Sequence, residues 1–236
     1  MVLMPTALFF RPNTDLALSY GKEWLARGIE EAVKRGFNVI DLVDEACTFD
    51  TLKNILETEK IDVVILLGHG NANIFTGFEQ QIVLEACHND QIMSGTISHF
   101  VSCLIGQELL PSIIEKKGIW TIGYQTTFDF MIEPPEAVEP FSDITLAVIA
   151  AILDGGKLKE AWDAGIAKGE EWKTRLWNRP ETWCAEVIQL IDKDIHGMVG
   201  LGDKEAYVLP LRKMALSPQG LIGLAALFWF LISRGA

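Results

Sequence analysis

Basic residues are scarce in this chain: 20 Lys and Arg stand against 32 Asp and Glu over 236 residues, a net charge of −12. That deficit excludes a nucleic-acid-binding surface spread over the molecule, because phosphate contacts need clustered cations. Cysteine is scarce as well. Four are scattered at 47, 87, 103 and 184 without a Cys-x-x-Cys pair, which argues against a zinc ribbon or a dense disulfide framework. Residues 11–15 (RPNTD), which follow the first apolar run, contain no glycine. A nucleotide-binding or flavodoxin-like sheet needs a glycine-rich phosphate cradle there, so that class is disfavoured. No metal-ligand cluster, internal repeat or low-complexity stretch is visible, and neither metal nor cofactor is expected. Apolar residues, by contrast, are abundant. They make up 49% of the chain with a mean hydropathy of +0.22, which excludes a disordered polypeptide.

The two termini differ. Residues 1–15 have no basic leader and no small-residue cleavage site, and read as an entry into a first core strand rather than as a signal peptide. Residues 214–233 carry no charge at all. Twenty helical residues span about 30 Å, the thickness of a bilayer core. The apolar residues after Gly220 surround such a helix instead of forming one stripe, so it either spans a membrane or is buried in the core or an oligomer interface. The expected division is an α/β domain over 1–213 and a hydrophobic tail over 214–236. With the tail as an anchor, Arg212 and Lys213 outweigh Arg234 beyond it, which keeps the main domain at the cytoplasmic face.

Hydrophobic periodicity alternates between strand and helix. Strands are predicted at 6–10, 37–43, 61–68, 96–103 and 118–124, and helices at 16–35, 48–59, 106–118, 142–154, 157–177 and 181–195. Residues 61–68 (IDVVILLG) form a continuous apolar run rich in β-branched side chains, as in a parallel strand covered on both faces. The pattern implies a three-layer sandwich with a mostly parallel central sheet between helices. Trp162, Trp172, Trp177 and Trp183 are expected to be core packing.

Two predicted strands run directly into reactive side chains. The strand at 61–68 ends in His69-Gly70, and the strand at 96–102 ends in Cys103. Ligands of open parallel sheets bind outside the carboxyl ends of the strands. If these two strands are neighbours, imidazole and thiol emerge together as base and nucleophile. Gly70 has no Cβ to obstruct a substrate carbonyl, and its N–H with that of Cys103 would form an oxyanion hole. Other candidates are weaker. Cys87-His88 follows a segment that looks helical and reads as a loop pair. His99 lies four strand residues before Cys103, about 13 Å away, and is expected to be a satisfied core or surface histidine. His196 sits at a helix C-terminus, where a cation suits the dipole, and Cys47 and Cys184 are expected to be packing residues.

The segments DVVILLGHGN (62–71), HFVSCLIGQELL (99–110) and GIWTIGY (118–124) together resemble the caspase-like cysteine peptidases of the gingipain, clostripain and legumain grouping. The 34 residues between His69 and Cys103 are more similar to the gingipain-like branch than to true caspases. Gly200-Leu201-Gly202-Asp203 resembles a Gly-Asp-Pro element of such domains, with Lys204 in place of the proline. The resemblance covers about residues 1–210. It implies Cys103 as nucleophile, His69 as general acid/base, Gly70 and Cys103 as oxyanion donors, and a polypeptide substrate. Asp129 and Glu133, beyond the fifth strand, are candidates for holding a basic substrate side chain, against a solvated loop as the plain alternative. A catalytically inactive caspase-like module that binds a protein partner through the same sheet edge is the rival reading.

Overall fold

The computed structural model describes residues 4–208. The hydrophobic tail expected at 214–233 lies outside the described residues. Among the described residues, no helix is long and apolar enough to cross a membrane.

The chain runs β1 (Thr6–Arg11), α1 (Leu16–Lys34), β2 (Asn38–Val43), α2 (Phe49–Thr58), β3 (Val63–Leu67), β4 (Ile74–Thr76), β5 (Ile82–Glu85) and β6 (Ile97–Val101). It continues through α3 (Leu109–Glu115), β7 (Trp120–Tyr124), α4 (Glu139–Leu153), α5 (Leu158–Trp177), α6 (Trp183–Gly197) and β8 (Met198–Gly202). Six strands form one sheet in the order β2-β1-β3-β6-β7-β8. The first five are parallel, and β8 pairs antiparallel with β7 as an edge.

Residue parity divides the core into two layers, because successive strand side chains point to opposite faces. Phe9, Ile65, Leu67, Val101 and Ile122 pack beneath α1, α4, α5 and α6. Phe10, Val64, Leu66 and Phe100 pack on the other face, with Leu52 of α2 and Ile113 of α3. Every residue of β3, β6 and β7 is buried, as expected of parallel strands covered on both sides. Strand order reverses between β1 and β3: the chain leaves β1 for β2 on one side and returns to β3 on the other. Such a reversal opens a crevice at the carboxyl ends of the two strands.

Four local expectations need correction. Residues 82–85, before Cys87, are a strand in a β4–β5 hairpin rather than helical; four residues are too few for periodicity to separate the two. Residues 198–202, for which no element is predicted, form the edge strand β8, paired with β7 through Trp120↔Gly202. Trp172 is buried, but Trp177, the last residue of α5, is 77% exposed. His99 is fully buried, and neither ring nitrogen has a side-chain hydrogen-bond partner. Burial lowers its pKa to about 4, so it sits in the sheet as a neutral ring.

The helical layer depends on close approach. A Cβ on Gly169 of α5 would lie 2.5 Å from Ile195 Cγ2 on α6. Alanine in place of an exposed helical glycine usually stabilises by about 1 kcal/mol. Here Gly169→Ala should instead destabilise by about 1–3 kcal/mol through overpacking, measured by denaturant unfolding; an unchanged midpoint would mean that α5 and α6 separate at no cost.

Candidate active site

The site starts from one pairing. β3 and β6 are adjacent and parallel, with Leu67 opposite Val101, and the Gly68 N–H reaches the Val101 carbonyl at 3.4 Å. Two residues further on, the chains present His69 and Cys103. By parity both follow Leu67 and Val101 onto the α1 face of the sheet. There they line one cleft of about 240 Å³, which Leu18 and Trp24 of α1 and the segment Phe128–Phe130 complete.

His69 has a partner that the sequence does not single out. Asp15 is the N-cap of α1 and stands just past the end of β1, across the strand-order reversal from β3. Its Oδ1 accepts the Leu18 N–H at 3.0 Å, and its Oδ2 lies 2.5 Å from His69 Nε2. Partial burial pulls the Asp15 carboxyl upward, but the bonds from His69 and the Leu18 N–H reverse this and hold it below its ordinary value. An aspartate accepts from Nε2–H, so the arrangement fixes the tautomer and leaves Nδ1 with its lone pair. The sequence did hold a signal: an Asp immediately before an amphipathic run is a common helix cap, and the cap of the helix after β1 must lie at this sheet edge.

Cys103 is differently engaged. Its Sγ accepts the Phe128 N–H at 3.3 Å and faces the Phe128 carbonyl at 3.7 Å. Burial pushes the thiol above its ordinary value; the Phe128 N–H opposes this weakly, while Asp129 and Asp194 add to it. At rest the sulfur is a protonated thiol tied to the 126–130 segment, and the imidazole is tied to Asp15.

Gly70 closes the arrangement. The Asn71 N–H bonds Ile74 O, and the Thr76 N–H bonds His69 O at 2.9 Å. Gly70 and Phe75 therefore face each other as a non-hydrogen-bonded antiparallel pair, which turns the Gly70 N–H away from Phe75. A Cβ at Gly70 would stand 2.8 Å from the Cys103 carbonyl and 2.4 Å from Ser102 Oγ. Only glycine lets the loop after β3 lie this close to the turn after β6. That turn holds Leu104 at φ +62°, with the Leu104 and Gly106 N–H groups bonded to Thr126 O and Tyr124 O.

Of the two carboxylates named for substrate binding, Asp129 lines the cleft but is bonded to Lys193 and Thr127. Glu133 is exposed and stands outside the cleft lining. Asp194, on α6, is a group that the sequence reading did not mark. It is almost wholly buried, its Oδ1 accepts the Asp129 N–H at 3.3 Å and its Oδ2 has no partner. Burial raises this carboxyl to about 8. The remaining cysteines lie away from the cleft: Cys87 is exposed and its N–H bonds Ser112 Oγ, while Cys47 and Cys184 are buried. His196 Nδ1 contacts the Asp192 carbonyl of its own helix. Among the described residues no group of His, Cys, Asp and Glu could hold a metal.

No protein-family model matches this chain, and no curated protein matches it. Among solved structures, it is similar to the Arg-specific cysteine proteinase gingipain R, with a TM-score of 0.56 and 12% identity over 87% of this chain and 48% of that one. It is similar in the same degree (TM-score 0.56, 11% identity) to a structure of the pro- and mature domains of RgpB from Porphyromonas gingivalis, again over 87% of this chain and 48% of that one. This chain therefore spans about half the length of those it matches. The fold is the mixed α/β, mostly parallel caspase-like sandwich of these proteinases.

Two measurements follow. A resting thiol above its ordinary value should be alkylated by iodoacetamide at a rate that climbs steadily between about pH 6 and about pH 9. Peptide mapping would isolate Cys103; a rate already flat below about pH 7 would mean a thiolate held by imidazolium instead. The second concerns Asp194, whose carboxyl titrates at about 8 when folded and at about 3.9 when unfolded. Between these values the folded chain holds a proton that the unfolded chain has lost, so stability falls as pH rises through that window. Asp194→Asn lacks this loss, and its thermal midpoint should gain on the parent from about pH 5 to about pH 8; a constant gap would contradict the buried, protonated carboxyl.

Proposed function

We propose that this protein is a cysteine endopeptidase in which Cys103 is the nucleophile, His69 the general acid/base and Asp15 the group that orients His69. The observation that carries the reading is the convergence of thiol and imidazole from two adjacent parallel strands onto one cleft, with a carboxylate fixing the far nitrogen of the ring. A nucleophile, a base and a third group orienting the base are what activated-nucleophile chemistry requires. The similarity in fold to cysteine proteinases supports the same class.

The steps follow from the atoms present. A peptide carbonyl enters between Cys103 and His69, and the thiol leaves its bonds to Phe128. As the sulfur bonds the carbonyl carbon, the thiol proton passes to His69 Nδ1. The oxyanion meets the N–H groups of Gly70 and Cys103, of which the first is turned away from its hairpin partner. Collapse breaks the C–N bond, and His69 delivers its proton to the departing amine. Water then attacks the thioester, giving a proton to His69, which returns it to the sulfur as the C–S bond breaks. Each oxyanion donor of this kind contributes about 3 kcal/mol or more to the transition state. Asp15 stays ionised throughout and stabilises the imidazolium.

A binding module built on the same edge would need no reactive thiol and no orienting carboxylate. Peptide hydrolysis should fall by about 10³-fold or more in Cys103→Ala and in His69→Ala, and the double variant should lose little further. Asp15→Asn is the sharper test. Asn caps a helix as well as Asp, so the thermal midpoint should hold while kcat/KM falls on the order of 100-fold or more. Undiminished hydrolysis in Cys103→Ala, or none by the parent protein under reducing conditions, would leave the binding module as the better account.

A further inference from the structure

The cleft that His69 and Cys103 share has mostly apolar walls, with Ser102 and Asp129 as its other polar members. Leu18 and Trp24 come from α1, Leu67 from β3, Val101 from β6, and Phe128 and Phe130 from the segment after β7. The aromatic members brace one another: the rings of Trp24 and Phe130 lie 5.0 Å apart edge to face, and those of Phe128 and Tyr124 lie 4.7 Å apart. Gly21 keeps the α1 side narrow, because a Cβ there would stand 2.5 Å from Leu67 Cδ1. The volume, about 240 Å³, exceeds the roughly 150 Å³ in which an apolar cavity holds a benzene ring.

The carboxylates at this cleft already serve other groups, and the one unpartnered polar atom of its lining, the buried Ser102 Oγ, is neutral. Asp15 is bonded to His69 and the Leu18 N–H, and Asp129 to Lys193 and Thr127. Asp194 lies behind Asp129, outside the lining, and is held protonated by burial up to about 8. A guanidinium or ammonium entering here would give up its water for an Asp129 carboxylate already shared with Lys193 through Oδ2, and a desolvated cation without a carboxylate of its own is heavily penalised. An aliphatic or aromatic side chain meets no such penalty.

We infer that this cleft receives the substrate side chain immediately preceding the scissile bond (P1), and that it selects leucine, methionine or phenylalanine over arginine, lysine and acidic residues. The inference rests on the peptidase reading for its chemistry, but it concerns a departure from the Arg-specific proteinase whose fold this chain is similar to. Trp24 and Leu67 are the specificity-determining side chains, since they line the pocket from opposing elements and carry no proton through the reaction.

The experiment is cleavage of internally quenched peptides that differ only at P1, using the full-length chain and Cys103→Ala as blank. Expected is turnover after Leu, Met or Phe on the order of 100-fold above Arg or Lys, with Trp24→Ala reducing that preference about tenfold or more and leaving the rank of Arg unimproved. Preferred cleavage after Arg or Lys would overturn the apolar assignment and leave the peptidase reading standing. If no peptide is cleaved, the same peptides are titrated against Cys103→Ala, with quenching of Trp24 emission read against Cys103→Ala/Trp24→Phe. Quenching by the Leu peptide at concentrations at least tenfold below the Arg peptide would uphold the pocket while the peptidase reading falls. Equal quenching, or none, would overturn the pocket as well.

Discussion

The parallel pairing of β3 with β6 is the constraint on which the site depends. With Leu67 opposite Val101, strand spacing of about 4.8 Å and a side-chain period of two send His69 and Cys103 past the sheet edge on the same face. A one-residue slip in either strand would turn one of them to the opposite layer. That register is held by apolar burial rather than by polar contacts within the site. All five residues of each strand are buried, split between two separate layers, so a slip would expose the core before it disturbed the chemistry. Gly70 then converts adjacency into proximity, because nothing larger fits against the Cys103 carbonyl.

The resting electrostatics keep thiol and imidazole apart in their bonding. Sulfur and imidazole each have a partner elsewhere, Phe128 and Asp15, and burial keeps the thiol protonated. The 126–130 segment thus does two things at once: it supplies the aromatic wall of the cleft and occupies the thiol. Its position is fixed from α6, through the Asp129 N–H on Asp194 Oδ1 and the Lys193 ion pair with Asp129. A shift of α6 against the sheet would therefore reach the sulfur directly, whereas the Asp15–His69 pair, seated on α1 and β3, would stay in place.

Much of this was legible in the sequence because apolar burial writes it there. The runs at 61–68 and 96–103 have no polar alternation, so they read as interior parallel strands, and their last residues read as the active edge. Asp15 was missed for a different reason. A single capping aspartate looks the same in sequence whether it caps only a helix or also holds an imidazole; only the strand order, with β1 beside β3, brings it to His69. Asp194 was hidden within an amphipathic helix, where charge periodicity says solvent and the packing of the 126–130 segment says burial. The hairpin was lost because strands of three and four residues are too short for periodicity, and β8 because its MVGLG, with two glycines, carries no apolar run like those of β3 and β6. The exposed Trp177 shows that tryptophan content alone does not locate a core.

Fold similarity and cleft chemistry also separate here. At 12% identity the likeness to gingipain R is one of architecture, and architecture fixes where a pocket lies without fixing what lines it. Specificity is a difference between affinities, decided by a handful of side chains on α1, β3, β6 and the segment after β7. The net charge of −12 would draw cationic peptides toward the molecule from a distance, over a screening length of about 8–10 Å. At the cleft, however, Asp15 already holds His69 and Asp129 already holds Lys193 through Oδ2, and in the pocket proposed above long-range attraction would not compensate for a cation desolvated against Trp24 and Leu67. Under the proposed reading, encounter and selection would favour opposite kinds of side chain, and a substrate with a basic residue away from the scissile bond and an apolar one at P1 would satisfy both.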